Sequence, residues 1–315
     1  MAEIVLGIGA SHTTLMNTQW DKVNHLERAH RFRAALGIAR EQLCAARPDV
    51  AVIIGSNHFR GFWLDLMPAF SIGVGQVISS GEHGMPTGEL ACDTALAADL
   101  CARLLDVGFD MAFSTSLTVD HGISHAVQWL IGTDSIPIVP IVINSFAPPL
   151  PTLRRTRQFG EALRSSLTSI GAGHRIAVIA TGGLSHRLPF PDWRAPRGDD
   201  DEFLADSFRH GRGRWHDYEA RRRQIVVNAP ADINEDFDNQ FLSMVQAGRV
   251  REFPDLFADE SLVRLAGNGV NEIRSWLAMA AALEYSRGQI LCYAPMPEWL
   301  TGMAVAVLQP GPGRM

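Results

Sequence analysis

The chain has 315 residues, 46% of them apolar and 20% charged, with a formal net charge of −6. This length can bury a sizeable core in one large or two modest domains, and the composition is that of an ordinary globular protein. The negative balance and the lack of a dense Lys/Arg stripe argue against a nucleic-acid surface. The expectation also includes no signal peptide and no membrane partner, since no apolar run reaches the roughly 18 residues a span requires.

In chain order, short apolar runs alternate with helical patterns. Residues 4–8 predict a strand, and His12 follows it after Gly9-Ala10-Ser11. Residues 25–46 predict a helix ended by Arg47-Pro48. Residues 50–54 predict a second strand, with Asn57-His58 just beyond it. Strands are expected at 70–74, 110–114 and 136–143, with an amphipathic helix at 90–105. The 136–143 run reads as buried, with Pro137 and Pro140 limiting its ladder. A helix at 153–167 leads to a strand at 176–180, and TGGLSH carries the chain on to His186. The stretch 187–230 breaks the alternation with RAPRGDDDE and GRGRWHDYEARRR. It reads either as a solvated, charged excursion with one helix or as a flap that offers guanidinium groups to an anionic substrate. Helices at 234–246 and 271–285 and strands at 290–293 and 303–308 complete the pattern. No repeat, low-complexity tract or linker divides it. The prediction is a single α/β domain over 1–315, with a central mostly parallel or mixed sheet flanked by helices.

Three histidines, His12, His58 and His186, each stand just past the end of an apolar run. In an open α/β sheet, ligands bind beyond the carboxyl ends of the strands. Imidazole is both the commonest metal ligand and the usual acid or base near neutral pH. The placement therefore proposes a metal or acid/base site, against the plainer reading that each histidine is a solvated strand end. A carboxylate would complete a metal set. Glu272 in GNGVNEIRSW is a candidate, although a first-turn glutamate also suits the helix dipole. His121, in VDHG between Asp120 and Gly122, forms H-x-x-x-H with His125, a spacing that can place two imidazoles on one helical face. The glutamate of H-E-x-x-H is missing there. TGGLSH lacks the closing glycine of a nucleophile elbow, which weakens Ser185 as an acyl nucleophile. Gly7 and Gly9 lack the third glycine of a dinucleotide fingerprint. Asp238 reads as a helix-dipole acid or as a support for the site. The cysteines Cys44, Cys92, Cys101 and Cys292 form no C-x-x-C pair and read as small buried thiols of a cytoplasmic protein. Cys101, with only Arg103 as a basic neighbour, gives little sign of reactivity.

The phrases GASHTTLM, SNHFRGFWLDLMPAFSIGVG, TVDHGISHAVQWL, PIVPIVINSFAPPLP, TGGLSH, DFDNQFL and NEIRSWLA resemble the class III (LigB-type) extradiol dioxygenases, in the same order and from about Gly7 to Gly302. The resemblance is nearest to the branch that cleaves 2,3-dihydroxyphenylpropionate. It implies a non-haem Fe(II) held by His12, His58 and Glu272, with His121 and His186 as acid and base. It also implies a catecholic substrate and O2 as partners, and ring opening beside the hydroxyls in aromatic catabolism. Asp120 and Ser185 are then expected to orient their neighbouring histidines. Asn57 stands where relatives often carry Asp, and His125 matches no functional position. A homo-oligomer is expected. The alternatives are the same fold acting on an aminophenol or hydroxypyridone, a Zn(II) hydrolase with the same ligands, or a binding protein that kept the pocket histidines.

Overall fold

A nine-stranded mixed sheet organises the chain in the computed structural model, which describes residues 1–132, 136–171 and 173–311. Its strands are β1 (Glu3–Ala10), β2 (Val50–Ser56), β3 (Phe70–Ser80), β4 (Thr87–Glu89), β5 (Ala112–Val119), β6 (Ile138–Ile143), β7 (Arg175–Thr181), β8 (Gly288–Met296) and β9 (Thr301–Leu308). The order is β4-β3-β6-β2-β7-β1-β9-β8, with β5 paired along β3. β6, β2, β7 and β1 run parallel. β9 and β8 join antiparallel at one end, and β3 and β4 at the other. The α/β expectation holds, in its mixed form.

The parallel strands are near-continuous apolar runs because both faces of the sheet are covered. Every residue of β2 is buried. Successive side chains of a strand point to opposite faces. Accordingly, Val50, Val52 and Ile54 enter one core while Ala51 and Ile53 enter the other. Helices Thr94–Asp106, Leu153–Ser169, Glu235–Ala247 and Ile273–Ala282 cover the first core. Helices Leu26–Ala46 and His121–Ala126 cover the second.

Because β1, β2 and β7 are parallel, their carboxyl ends share one edge of the sheet. β5 runs opposite to them, and its pairing with β3 slips between Gly73 and Gln76. Its far end still arrives at the shared edge, where Thr181 Oγ1 donates to the Gly122 carbonyl. Gly55 permits this approach, since a Cβ there would stand 2.0 Å from the Gly122 oxygen.

Several boundaries differ from expectation. β5 covers 112–119 rather than 110–114, and β3 continues to Ser80 before the unpredicted β4. These extra segments are polar and partly exposed, so their apolar pattern is weak. The helix expected at 90–105 starts at Thr94 because Asp93 caps it, accepting from the Leu96 N–H at 2.9 Å. The stretch 187–230 holds two helices, Asp199–His210 and Trp215–Val227, over a small core that includes Phe59, Trp63, Phe146 and Phe208. Cys101 and Cys292 are buried, but Cys44 is exposed, against expectation. Burial pushes the Cys101 thiol pKa up, which fits its unreactive reading. No helix among the described residues is long and apolar enough to cross a membrane.

Candidate metal centre and active site

His12 leaves the end of β1, His58 follows β2, His186 follows β7 and His121 follows β5, and all four meet over the sheet edge. Glu272 reaches them from a 3₁₀ turn, Asn268–Glu272, immediately before helix Ile273–Ala282. The His12 ring lies edge-on to His58 at 5.2 Å and to His121 at 5.0 Å. His58 and His121 stack at 3.8 Å. Glu272 Oε1 stands 2.9 Å from His12 Nε2 and 3.4 Å from His58 Nε2.

Both ring nitrogens of His12 are buried without a hydrogen-bond partner, so the 2.9 Å approach to Glu272 is a contact outside hydrogen-bonding geometry. A buried polar atom without a partner is costly. Two imidazole nitrogens and a carboxylate oxygen crowded together in this way fit a shared cation. Glu272 is fully buried, which alone would raise its pKa, but His12 and His58 hold it well below the usual carboxylate range. Its oxygens also accept from Ser56 Oγ and from the Gly183 N–H at 3.0 Å. It makes no side-chain cap to its own helix, although its place at the helix start also suits the dipole.

The remaining imidazole nitrogens are held from behind. His58 Nδ1 lies 3.1 Å from Asp120 Oδ1, and Asp120 also accepts the His58 backbone N–H. Such a carboxylate–imidazole pair fixes ring orientation in metal sites. Burial would lower the His58 pKa, but Asp120 and Glu272 together raise it to about 10. A cation at the centre would replace that proton. His121 Nδ1 is paired with Glu82 at 2.5 Å, and Glu82 in turn meets Arg60 at 3.1 Å. Burial and the neighbouring His58 push the His121 pKa down to about 4 despite Glu82. His186 Nδ1 donates to the Leu184 carbonyl at 3.0 Å, and its Nε2 is 3.8 Å from Glu272 Oε2. Because a carbonyl only accepts, the Nδ1–H tautomer is required and Nε2 keeps its lone pair. Burial lowers the His186 pKa, so the ring is neutral.

The structure reassigns the other sequence candidates. Ser185 is fully buried; its hydroxyl donates to Asp238 at 2.8 Å and accepts the Asn234 N–H at 2.8 Å, so it is no nucleophile. Asp238 is equally buried and accepts from the Ser185 N–H at 2.8 Å and from Tyr293 at 2.7 Å. From the first turn of its helix it secures the TGGLSH loop. Asn57 braces its own loop: its Oδ1 accepts the Gly61 and Phe62 N–H groups and its amide donates to the Phe62 carbonyl. His125 is buried 6.3 Å from His12 and belongs to neither potential ligand group among the described residues. The H-x-x-x-H metal pair is therefore not formed. Those groups are His12, His58 and His121, and Glu82, Asp120 and His121.

The family described as the catalytic LigB subunit of aromatic ring-opening dioxygenase matches residues 7–304. The chain belongs to the LigB family. It is thus an enzyme, a dioxygenase, and the binding-protein alternative is set aside. It is 33% identical over 279 residues to a 2,3-dihydroxyphenylpropionate/2,3-dihydroxicinnamic acid 1,2-dioxygenase of Klebsiella pneumoniae, covering 84% of this chain and 86% of that one. A relative of the same description from Escherichia coli K12 is 32% identical over 286 residues, with the same coverage. An uncharacterised Escherichia coli K12 protein of known structure shares the fold, with TM-score 0.53 at 13% identity, over 96% of this chain and 99% of the other.

In this LigB chain the cavity above the histidines is roofed by helix Trp215–Val227, which contributes Arg222, Arg223, Val226 and Val227. Glu82 and Arg60 escape the sequence analysis, and Arg222 enters it only as one of the unnamed arginines of 187–230. Each is one charged residue among many, and its partner lies far along the chain: Glu82 is 39 residues from His121, and Arg222 is 164 from His58. The only local hint is a glutamate between glycine-rich turns in SGEHG.

Proposed function

We propose that the chain is an Fe(II)-dependent extradiol dioxygenase. It inserts both atoms of O2 into a catecholic ring and cleaves it beside the hydroxyls. The observation that carries the reading is the meeting of His12, His58 and Glu272, with both His12 nitrogens buried and without hydrogen bonds. Two neutral imidazoles and one carboxylate are the facial set of non-haem Fe(II) oxygenases. His121 could replace Glu272 in a three-histidine set, but its Nδ1 is engaged by Glu82, and the carboxylate better offsets a divalent charge. Bound there, the ion supplies the redox chemistry that lets O2 react with an aromatic ring.

The protein residues supply the proton traffic. His186 accepts a catechol hydroxyl proton at Nε2, where the lone pair stands free, and the Leu184 carbonyl keeps the ring in that tautomer. His121 keeps its ring proton at Nδ1, donated to Glu82. Its Nε2 can therefore take up a proton during turnover and return it at the ring-opening stage, with Glu82 behind it to offset the transient charge. Asp120 orients His58, and Asp238 orients His186 through Ser185. Phe190, Leu188 and Val226 line the cavity and exclude water around the ring. Residues 1–315 act as one catalytic domain with 187–230 as its flap. The enzyme is further read as a cytoplasmic homo-oligomer. In support, Phe113 is 64% exposed on β5, whose outer edge pairs with no other described strand.

The test is anaerobic loading with Fe(II), followed by a panel of catechols, aminophenols and hydroxypyridones with O2 uptake and visible absorbance recorded. A coloured ring-opened product with one O2 consumed per ring is expected. Turnover of esters or amides with Zn(II) and no O2 uptake would replace this reading with the hydrolase. Sedimentation gives the oligomeric state, and a monomer at working concentration removes that part.

A further inference from the structure

The cavity contains a guanidinium that the protein itself does not fully satisfy. Arg222 lines it from helix Trp215–Val227 and is only 6% exposed. Nη2 donates to the His58 carbonyl at 3.1 Å, and the guanidinium carbon lies 5.5 Å from the Phe208 ring centre. Nη1 is buried and has no hydrogen-bond partner. A buried donor without an acceptor is destabilising, and more so when it is charged.

The nearby carboxylates are already engaged. Glu82 pairs with His121 and Arg60, while Glu219 pairs with Arg60 and, at 2.9 Å, with His83. At this end of the cavity, Arg60, Arg222 and Arg223 face Glu82 and Glu219, and Asp120, the third carboxylate that the Arg222 charge feels, is already paired with His58. Arg223 reaches His83 Nδ1 at 2.8 Å, which adds no negative charge. Each of these carboxylates is engaged elsewhere, and Arg222 Nη1 is left for a ligand.

We propose that Arg222 is the specificity-determining residue: its Nη1 docks the carboxylate of a short acidic side chain on the catecholic ring. The proposal rests on the ring-cleavage reading above. The span is short because the same guanidinium touches the main chain of His58, whose Nε2 faces Glu272. Docking there turns the ring hydroxyls toward the metal ligands, and a charge-assisted bond to a carboxylate is stronger than a neutral one.

Equilibrium binding separates docking from chemistry. The probes are 3-phenylpropionate, which has the carboxylate and no ring hydroxyls, and its neutral amide. Both are titrated anaerobically into the Fe(II)-loaded wild type, Arg222→Gln and Arg222→Lys. The wild type should bind the acid about tenfold or more tightly than the amide. Arg222→Gln should weaken the acid about 10- to 100-fold and leave the amide unchanged, and Arg222→Lys should keep part of the preference. Equal affinity of the wild type for acid and amide overturns the proposal. So does a variant that weakens both alike, since Arg222 would then only support the His58 loop. If Arg222→Gln does not fold, the lysine variant and the wild-type ratio decide. Turnover of carboxylated catechols against their amides distinguishes the two readings. Ring opening with no acid preference sinks only the Arg222 proposal. Acid preference that tracks Arg222 with no ring opening sinks only the dioxygenase reading.

Discussion

Glu272 links most of the site through two oxygen atoms: one faces His12, His58 and Ser56, the other the Gly183 N–H. His12→Ala, His58→Ala and Glu272→Ala should each lose bound iron and activity together, as elemental analysis of each variant would show. Gly182→Ala should do the same less completely, because a Cβ there would lie 2.7 Å from Glu272 Cδ at a φ of +97°. Full iron content in all the ligand variants removes the assignment. The outer histidines should behave differently. His186→Gln and His121→Gln should keep iron but lose about 10²–10⁴-fold in rate, the usual worth of general acid–base help. Gly269→Ala is a milder version of the first, since its Cβ would meet His186 Nε2 at 2.1 Å and push the ring aside. Asp238 gives a pH signature. Burial raises its pKa to about 6 against the bonds from Tyr293 and Ser185, so the folded state favours the neutral acid. Its contribution to stability is full below the ordinary aspartate pKa of about 4 and is lost as pH rises through about 6, a change of roughly 3 kcal/mol. Denaturation midpoints at pH 4 and 7 should therefore differ less in Asp238→Asn than in wild type, and an unchanged slope refutes this. The histidines were legible in the sequence because each ends an apolar run or stands in VDHG. Glu272 was ambiguous between ligand and helix-dipole partner until the family resemblance chose. Glu82 and Arg60 were not legible, and Arg222 could not be singled out among the arginines of 187–230, because their roles depend on contacts that only the folded chain creates.

At the scale of elements, the parallel strands were read from sequence because burial on both faces leaves them uniformly apolar. β4 and the second half of β5 were missed because they are polar and partly exposed. The stretch 187–230 was read correctly as charged, yet it carries a small core of its own. Phe59 and Phe208 stack there at 3.7 Å, and Phe190 meets Phe208 at 5.3 Å. Sequence periodicity could not show this, since the aromatics come from three separated segments. Phe208→Ala should cost about 3–5 kcal/mol locally, as deletion of a buried aromatic does. The loss should fall on the excursion and spare the main sheet, because Phe208 belongs to neither large core. Hydrogen exchange should show faster opening confined to 187–230, with KM rising as the cavity roof loosens. Uniform loss of protection across β1, β2 and β7 would show that the flap is not a separate unit.

At the scale of the whole molecule, the α/β class and the single sheet followed from the alternation of elements. The strand order did not, because pairing between distant segments leaves no local trace. Its least local pairing joins the first strand to the last: β9 inserts between β1 and β8. The site is spread almost as widely, with His12 near one end of the chain and Glu272 near the other. During synthesis, β1 must therefore wait for nearly the entire polypeptide before its second neighbour exists. For most of that interval, until residue 272, no nascent chain contains all three of the proposed ligands His12, His58 and Glu272. If these three residues hold the ion as proposed, metal insertion must wait until residue 272 has been made, and premature termination before it leaves a product lacking one of the three, however well its earlier strands have formed.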